Sequence, residues 1–127
     1  MKKKQFIRLN VFVPVNDIHE TLNYYRDRLG FYDEWTMDTD GGIRRDSMRL
    51  IFKQDPDYVS VLNNETYRFV LIWFVENVDE IYKEFKEERK ITIVSDIENK
   101  PWGIREFSIH DINGYLIRVS EGITNVS

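Results

Sequence analysis

The chain reads first as a series of alternations. Over residues 6–15, Ile7, Leu9, Val11, Val13 and Val15 share one face, and Arg8, Asn10, Phe12 and Pro14 share the other, which predicts a strand. Asn16-Asp17 then offers a helix N-cap, with Glu20 three residues beyond Asp17 as in a capping box. Ile18, Leu22, Tyr25 and Leu29 follow at helical spacing, and Gly30 stands where a helix-terminating glycine belongs. Residues 31–37 read as a strand, 38–42 as its turn, and 43–45 and 48–53 as two further strands around Asp46-Ser47. Pro56, Asn63, Asn64 and several acids then mark residues 55–66 as a linker.

After the linker the pattern restarts. Residues 67–75 read as a strand, 78–88 as a helix and 91–94 as a strand. A loop over 95–103 leads to strands at 104–110 and 115–120. Asp111-Ile112-Asn113-Gly114 lies between those last two apolar runs, and Asn-Gly in that setting is a strong hairpin signal. A shift of sixty positions superposes Val15-Asn16-Asp17-Ile18 on Val75-Glu76-Asn77-Val78, Tyr25 on Phe85 and Phe31 on Ile91. The apolar positions and the element order agree, although the letters do not. The chain therefore reads as a single α+β domain over 1–127, made of two βαβββ modules (6–54 and 67–121) with mixed sheets. Each helix covers one face of its sheet, and the pair is expected to leave a half-closed cup.

Composition narrows the chemistry. The 127 residues carry 18 Lys and Arg against 22 Asp and Glu, a net charge of −4, which gives no support to nucleic-acid binding. With no cysteine, disulfides, thiolate catalysis and thiolate zinc sites are all excluded. No run approaches the roughly 20 apolar residues of a membrane span. The basic opening Met1-Lys2-Lys3-Lys4 is followed by an apolar run that Arg8 and Asn10 interrupt, with no small-residue cleavage site, so a cytoplasmic protein is expected.

Three segments resemble the vicinal oxygen chelate superfamily, which contains glyoxalase, bleomycin-resistance proteins and extradiol dioxygenases. The first is Val13-Pro14-Val15-Asn16-Asp17-Ile18 running into Tyr24-Tyr25-Arg26-Asp27-Arg28-Leu29-Gly30-Phe31. The second is Phe74-Val75-Glu76-Asn77-Val78-Asp79, leading into a helix with Tyr82. The third is Pro101-Trp102-Gly103-Ile104-Arg105-Glu106-Phe107, followed by Asp111-Ile112-Asn113-Gly114-Tyr115-Leu116-Ile117. The resemblance runs from about residue 6 to 122 and implies the half-closed cup and a two-fold homodimer. It also implies four metal-ligand positions, which fall here on Asn10, Ile51, Val70 and Arg118. Val and Ile have no lone pair to offer, Asn is a poor ligand for a transition metal, and Arg is a cation. Neither a metal nor a cofactor is therefore expected.

The candidate site residues are Asn10, Phe12, Ile51, Trp102 and Arg118. Alternation turns Phe12, Ile72 and Phe74 towards the cup, whereas Tyr25, Phe31, Phe69, Trp73 and Phe85 read as core. Arg118 and Leu116 face the cup; an internal carboxylate or an anionic or carbonyl ligand would satisfy the guanidinium. Arg49 and Lys53 share the corresponding face, so a locally positive cup is expected. His19 and His110 read as surface and turn residues. Asp38, Asp40, Asp55 and Asp57 read as turn residues, since EF-hand spacing is absent. The expectation is a metal-independent binder resembling the bleomycin-resistance branch, which sequesters or senses a neutral or anionic aromatic compound. The alternatives are a metal-dependent glyoxalase- or dioxygenase-type enzyme with unrecognised ligands, and a purely structural or partner-binding role.

Overall fold

The computed structural model describes residues 3–123, so Met1 and Lys2 of the basic opening lie outside the described residues. The first half runs β1 (Phe12–Val15), α1 (Ile18–Leu29), β2 (Tyr32–Thr36), β3 (Asp40–Arg45) and β4 (Met48–Gln54). After α2 (Pro56–Leu62), the second half runs β5 (Val70–Phe74), α3 (Val78–Lys83), β6 (Ser95–Lys100), β7 (Ile104–His110) and β8 (Leu116–Gly122). A π-helical turn, Glu84–Glu88, extends α3. The sheets have the orders β1-β4-β3-β2 and β5-β8-β7-β6. In each, the first strand runs parallel to the last and the remaining pairs are antiparallel. The sixty-residue repeat is thus a repeat of topology, strand for strand.

Local chemistry explains α1. The Asp17 carboxylate accepts the Glu20 amide at 2.8 Å, which satisfies one of the orphan donors of the first turn. Gly30 ends the helix in the left-handed region at φ 81°. The predicted stripe of Ile18, Leu22, Tyr25 and Leu29 is buried against the first sheet.

Four boundaries depart from the sequence reading. The first strand begins at Phe12 rather than residue 6; Ile7, Leu9 and Val11 alternate as read but have no ladder partner and, like Phe6, stay exposed. The turn read over 38–42 is shorter, because Gly41 and Gly42 pair with Phe52 and Ile51 inside β3. The 55–66 linker holds α2, capped by Asp55, started by Pro56 and anchored by buried Val59. Finally, residues 91–94 form no strand, and β6 occupies 95–100, which had read as loop.

The two halves meet on their helix-covered side. Tyr25 packs at a tilt against Phe52 and edge-to-face against Phe31 from its own half, at centroid distances of 5.0 and 5.6 Å, and lies 6.1 Å from Trp73 of the other. Phe31 closes the cluster at 5.4 Å from Trp73. The buried Asp111 carboxylate accepts the Tyr25 hydroxyl at 2.7 Å as well as the Asn113 and Tyr115 amides, which ties the predicted hairpin turn to α1. Tyr115 donates its hydroxyl to the Pro14 carbonyl at 2.6 Å. Arg45 grips Glu84 with both terminal nitrogens, at 2.9 and 2.7 Å. Burial opposes the Glu84 charge, but the hydrogen bonds from Arg45 and Arg89 outweigh it and hold the carboxyl below its usual pKa.

Candidate functional site

With the helices on the inside, each sheet keeps one open face, and strand register fixes what lies on it. In the first sheet Phe12 faces Ile51, Ile51 faces Gly42 and Gly42 faces Trp35, so one lateral row crosses all four strands. Gly42 has no side chain, and the Trp35 indole lies in the space; a Cβ built there would overlap Trp35 Nε1. Two charged rows flank this apolar one. Glu34 accepts from Arg49 at 3.0 Å and sits 3.8 Å from Arg44, while Lys53 lies 3.6 Å from Asp40 and 5.9 Å from the centroid of the Phe12 ring.

In the second sheet the equivalent row is Ile72, Arg118, Ser108 and Ser95, followed by Phe74, Ser120, Glu106 and Glu98. Arg118 donates Nε to both oxygens of Glu106, at 3.1 and 3.2 Å, and its Nη2 lies 3.0 Å from Oε1. Ser120 donates its hydroxyl to the same carboxylate at 2.8 Å. The Trp102 ring covers the Arg118 guanidinium at 5.8 Å, a cation–π contact. Glu106 is only 6% exposed. The Arg118 side chain keeps 31% of its surface, and its Nη1 has no partner among the described residues.

Of the five predicted site residues, the fold places Phe12 beside Ile51 on one sheet and Trp102 beside Arg118 on the other. Asn10 precedes β1 and is exposed, so the strand expected to carry it towards the others is absent there. Among the described residues, no hydrogen bond, ion pair or aromatic contact links the two open faces. Of the two ways to satisfy Arg118, the internal acid is the one the structure forms. The locally positive cup needs correcting: Arg49, Lys53 and Arg118 are each matched by an acid of the same sheet, one or two strands away. His19 and His110 are exposed, as read.

Sequence reasoning missed Glu106, Ser120 and Trp35. The first two were accessible in principle, because the Asn-Gly turn fixes the β7–β8 register and sets Glu106 opposite Ser120. Trp35 was hidden by the irregular pairing between Asp33 and Trp35, which changes the face a simple alternation assigns.

The four implied metal positions do not suit a metal. Ile51, Val70 and Arg118 bring no donor, Asn10 lies outside the sheet, and no three His, Asp or Glu side chains converge among the described residues. Likewise, no helix among them is long and apolar enough to cross a membrane.

The family model of the glyoxalase-like domain matches residues 9–124. No curated protein sequence matches the chain. Among solved structures, the bleomycin-binding protein of Streptomyces verticillus, complexed with copper(II)-bleomycin, is 18% identical. That match covers 94% of this chain and 99% of the other, with a TM-score of 0.76. The bleomycin resistance determinant encoded on transposon Tn5 is 21% identical over 92% of this chain and 98% of its own, also at a TM-score of 0.76. Lactoylglutathione lyase from Agrobacterium tumefaciens is 17% identical, with 94% and 96% covered and a TM-score of 0.70.

Proposed function

The chain belongs to the glyoxalase-like domain family, and from that premise we propose that it is a metal-independent small-molecule binding protein that sequesters or senses a neutral or anionic aromatic compound. The observation that carries this reading is the Trp102–Arg118 pair, with Ile72 beside it and Nη1 unpartnered. A ring packs against Trp102 and Ile72, while a carbonyl or carboxylate oxygen accepts from Nη1. Apolar burial supplies affinity at roughly 25 cal/mol per Å², and the polar contact fixes orientation. The bleomycin-binding and bleomycin-resistance structures support the class of function, and the donor set at the implied ligand positions supports the absence of metal.

The proposal includes a homodimer. Phe12 on the first open face and Val70, Ile72 and Phe74 on the second are exposed, and so are Phe6, Ile7, Leu9 and Val11 ahead of β1, apolar side chains that a second copy would cover. Light scattering should give about twice 15.4 kDa; a monomer mass at micromolar concentration would count against the dimer. Ni, Zn or Fe bound near one per protomer would overturn the metal-independent reading in favour of the enzyme alternative. The site itself is tested by titrating 2-naphthol and 2-naphthoate against the parent and Arg118→Met while following tryptophan emission. Loss of binding in the variant supports the proposed anchor. Equal affinity in the two rejects it.

A further inference from the structure

A cavity of about 350 Å³ lies between the two halves on the helix-covered side, behind the open faces. Phe31 and Met48 wall it from the first half, and Trp73, Ile81, Phe85 and Val119 from the second. Trp73 and Val119 alternate with Ile72 and Arg118 along their strands, so this space is distinct from the site proposed above. Its volume falls in the range of ligand pockets, which start at about 300 Å³. Two features mark the wall as incompletely packed. The Trp73 indole N–H is the only buried side-chain nitrogen or oxygen without a partner among the described residues. Phe85 is carried by the π-helical turn, a local irregularity that recurs at functional sites.

The mouth of the cavity carries Arg45, Asp46 and Glu76. Arg45 is already committed: besides Glu84, it donates to the Leu29 carbonyl at 2.8 Å. The exposed side-chain carboxylates of Asp46 and Glu76 have no hydrogen bond or ion pair among the described residues. Asp46 also acts on the Arg45 guanidinium through its charge, but with Glu76 the lining carries two acids against one base, so the mouth stays negative in balance, and the walls behind it are aromatic and aliphatic.

We propose that this cavity is a second ligand site that takes a small aromatic amine, with the ring among Phe31, Met48, Trp73 and Phe85 and the ammonium between Asp46 and Glu76. An anion of the same shape meets two carboxylates and no free cation. An uncharged ring leaves the mouth acids solvated but gains nothing from them.

The test uses the full chain labelled with nitrogen-15. Its three tryptophans, Trp35, Trp73 and Trp102, give three indole N–H signals, so the site that responds identifies itself. The probes are 2-phenylethylamine and its anionic counterpart 3-phenylpropanoate. The expected result is a saturable shift of the Trp73 signal, with the amine binding about ten-fold tighter than the acid. In Asp46→Asn/Glu76→Gln that preference falls by about five- to ten-fold, the scale of two exposed ion pairs. Both positions are on the surface, and Asn suits the φ of 52° at residue 46. Met48→Phe, which enlarges a wall residue and narrows the space left for the ring, weakens both probes. The proposal is overturned by equal binding of the two probes, by a preference that survives Asp46→Asn/Glu76→Gln, by the absence of any saturable shift, or by shifts confined to Trp35 and Trp102. The last outcome would place the probe on the open faces and leave the Arg118 reading standing.

Discussion

The Glu106–Arg118 pair allows a prediction in which burial decides the sign of a comparison. Glu106 accepts from Arg118 and from Ser120, and its side chain is 8% exposed against 31% for Arg118. Breaking a buried ion pair by removing one partner costs roughly 3–5 kcal/mol, because the charge left behind is uncompensated. Glu106→Gln leaves the half-solvated partner, so the cost is discounted to about 2 kcal/mol, or roughly 6–10 °C in Tm for a domain of this size. Arg118→Met leaves the deeply buried one and costs more, about 3 kcal/mol. The double variant retains neither charge, so it is less destabilised than the two single costs added together. Urea unfolding at constant m-value measures all three. Glu106→Gln also releases Arg118, so 2-naphthoate affinity rises by about ten-fold in that variant while 2-naphthol changes little. If Glu106→Gln costs as much as Arg118→Met, or the costs simply add, the unequal burial is not what governs this pair.

Three further outcomes follow from other parts of the fold. Burial raises the Asp111 carboxyl pKa despite the hydrogen bonds from Tyr25, Tyr115 and Asn113 that oppose it. The native state therefore binds more protons than the unfolded one, and this group's contribution to stability grows as pH falls through its native pKa and levels off below the unfolded value near 3.8. Asp111→Asn should flatten that slope in urea titrations between pH 7 and 4, whereas Asp111→Ala should cost about 2–3 kcal/mol by stranding the Tyr25 hydroxyl and the Tyr115 amide. Gly42→Ala should expel the Trp35 indole from its row and red-shift its emission, and Trp35→Ala in the same chain should recover most of the lost stability. Asp17→Ala should cost about 1 kcal/mol through the lost cap, read as a lower urea midpoint at unchanged m.

How far the sequence foretold the fold depended on whether each signal was local. Helix α1 was legible because the Asp17 cap, the apolar stripe and Gly30 all agree within fourteen residues. The β7–β8 hairpin was legible for the same reason, since Asp111–Gly114 specifies its own turn. The run over 6–11 misled because alternation reports which face a strand would bury, not whether a neighbour exists to pair with it. Strand β6, Ser-Asp-Ile-Glu-Asn-Lys, hid for the converse reason: an edge strand needs little apolar content when its ladder partner is secure. In 55–66, Asp55 and Pro56 form a helix start whose signal was masked by the surrounding turn residues. The sequence reading gathered Asn10, Phe12, Ile51, Trp102 and Arg118 into one cup, whereas the fold sets Phe12 beside Ile51 and Trp102 beside Arg118 on separate sheets and leaves Asn10 with neither. The missing acid, Glu106, depends on register across a hairpin rather than on its immediate neighbours.

The pairing of charges on the open faces bears on what kind of selectivity such a protein can have. Arg118 with Glu106, Arg49 with Glu34 and Lys53 with Asp40 repeat one device: a cation on the last strand of each half, answered by an acid one or two strands away. Each face is thereby close to neutral, and the long-range field that would draw in or repel a charged ligand is small. Discrimination must then arise at contact. A ligand that covers Trp102 and Ile72 also dries the Glu106–Arg118 pair, which strengthens that pair only if the remaining Nη1 donor finds an acceptor. A ring without an acceptor leaves a buried donor unmet and binds less well; one with an acceptor in the right place gains the contact and loses nothing to repulsion. The internal acid therefore does not disqualify Arg118 as a ligand anchor. In the proposed function, Arg118 then serves to read the position of a single oxygen rather than to attract charge.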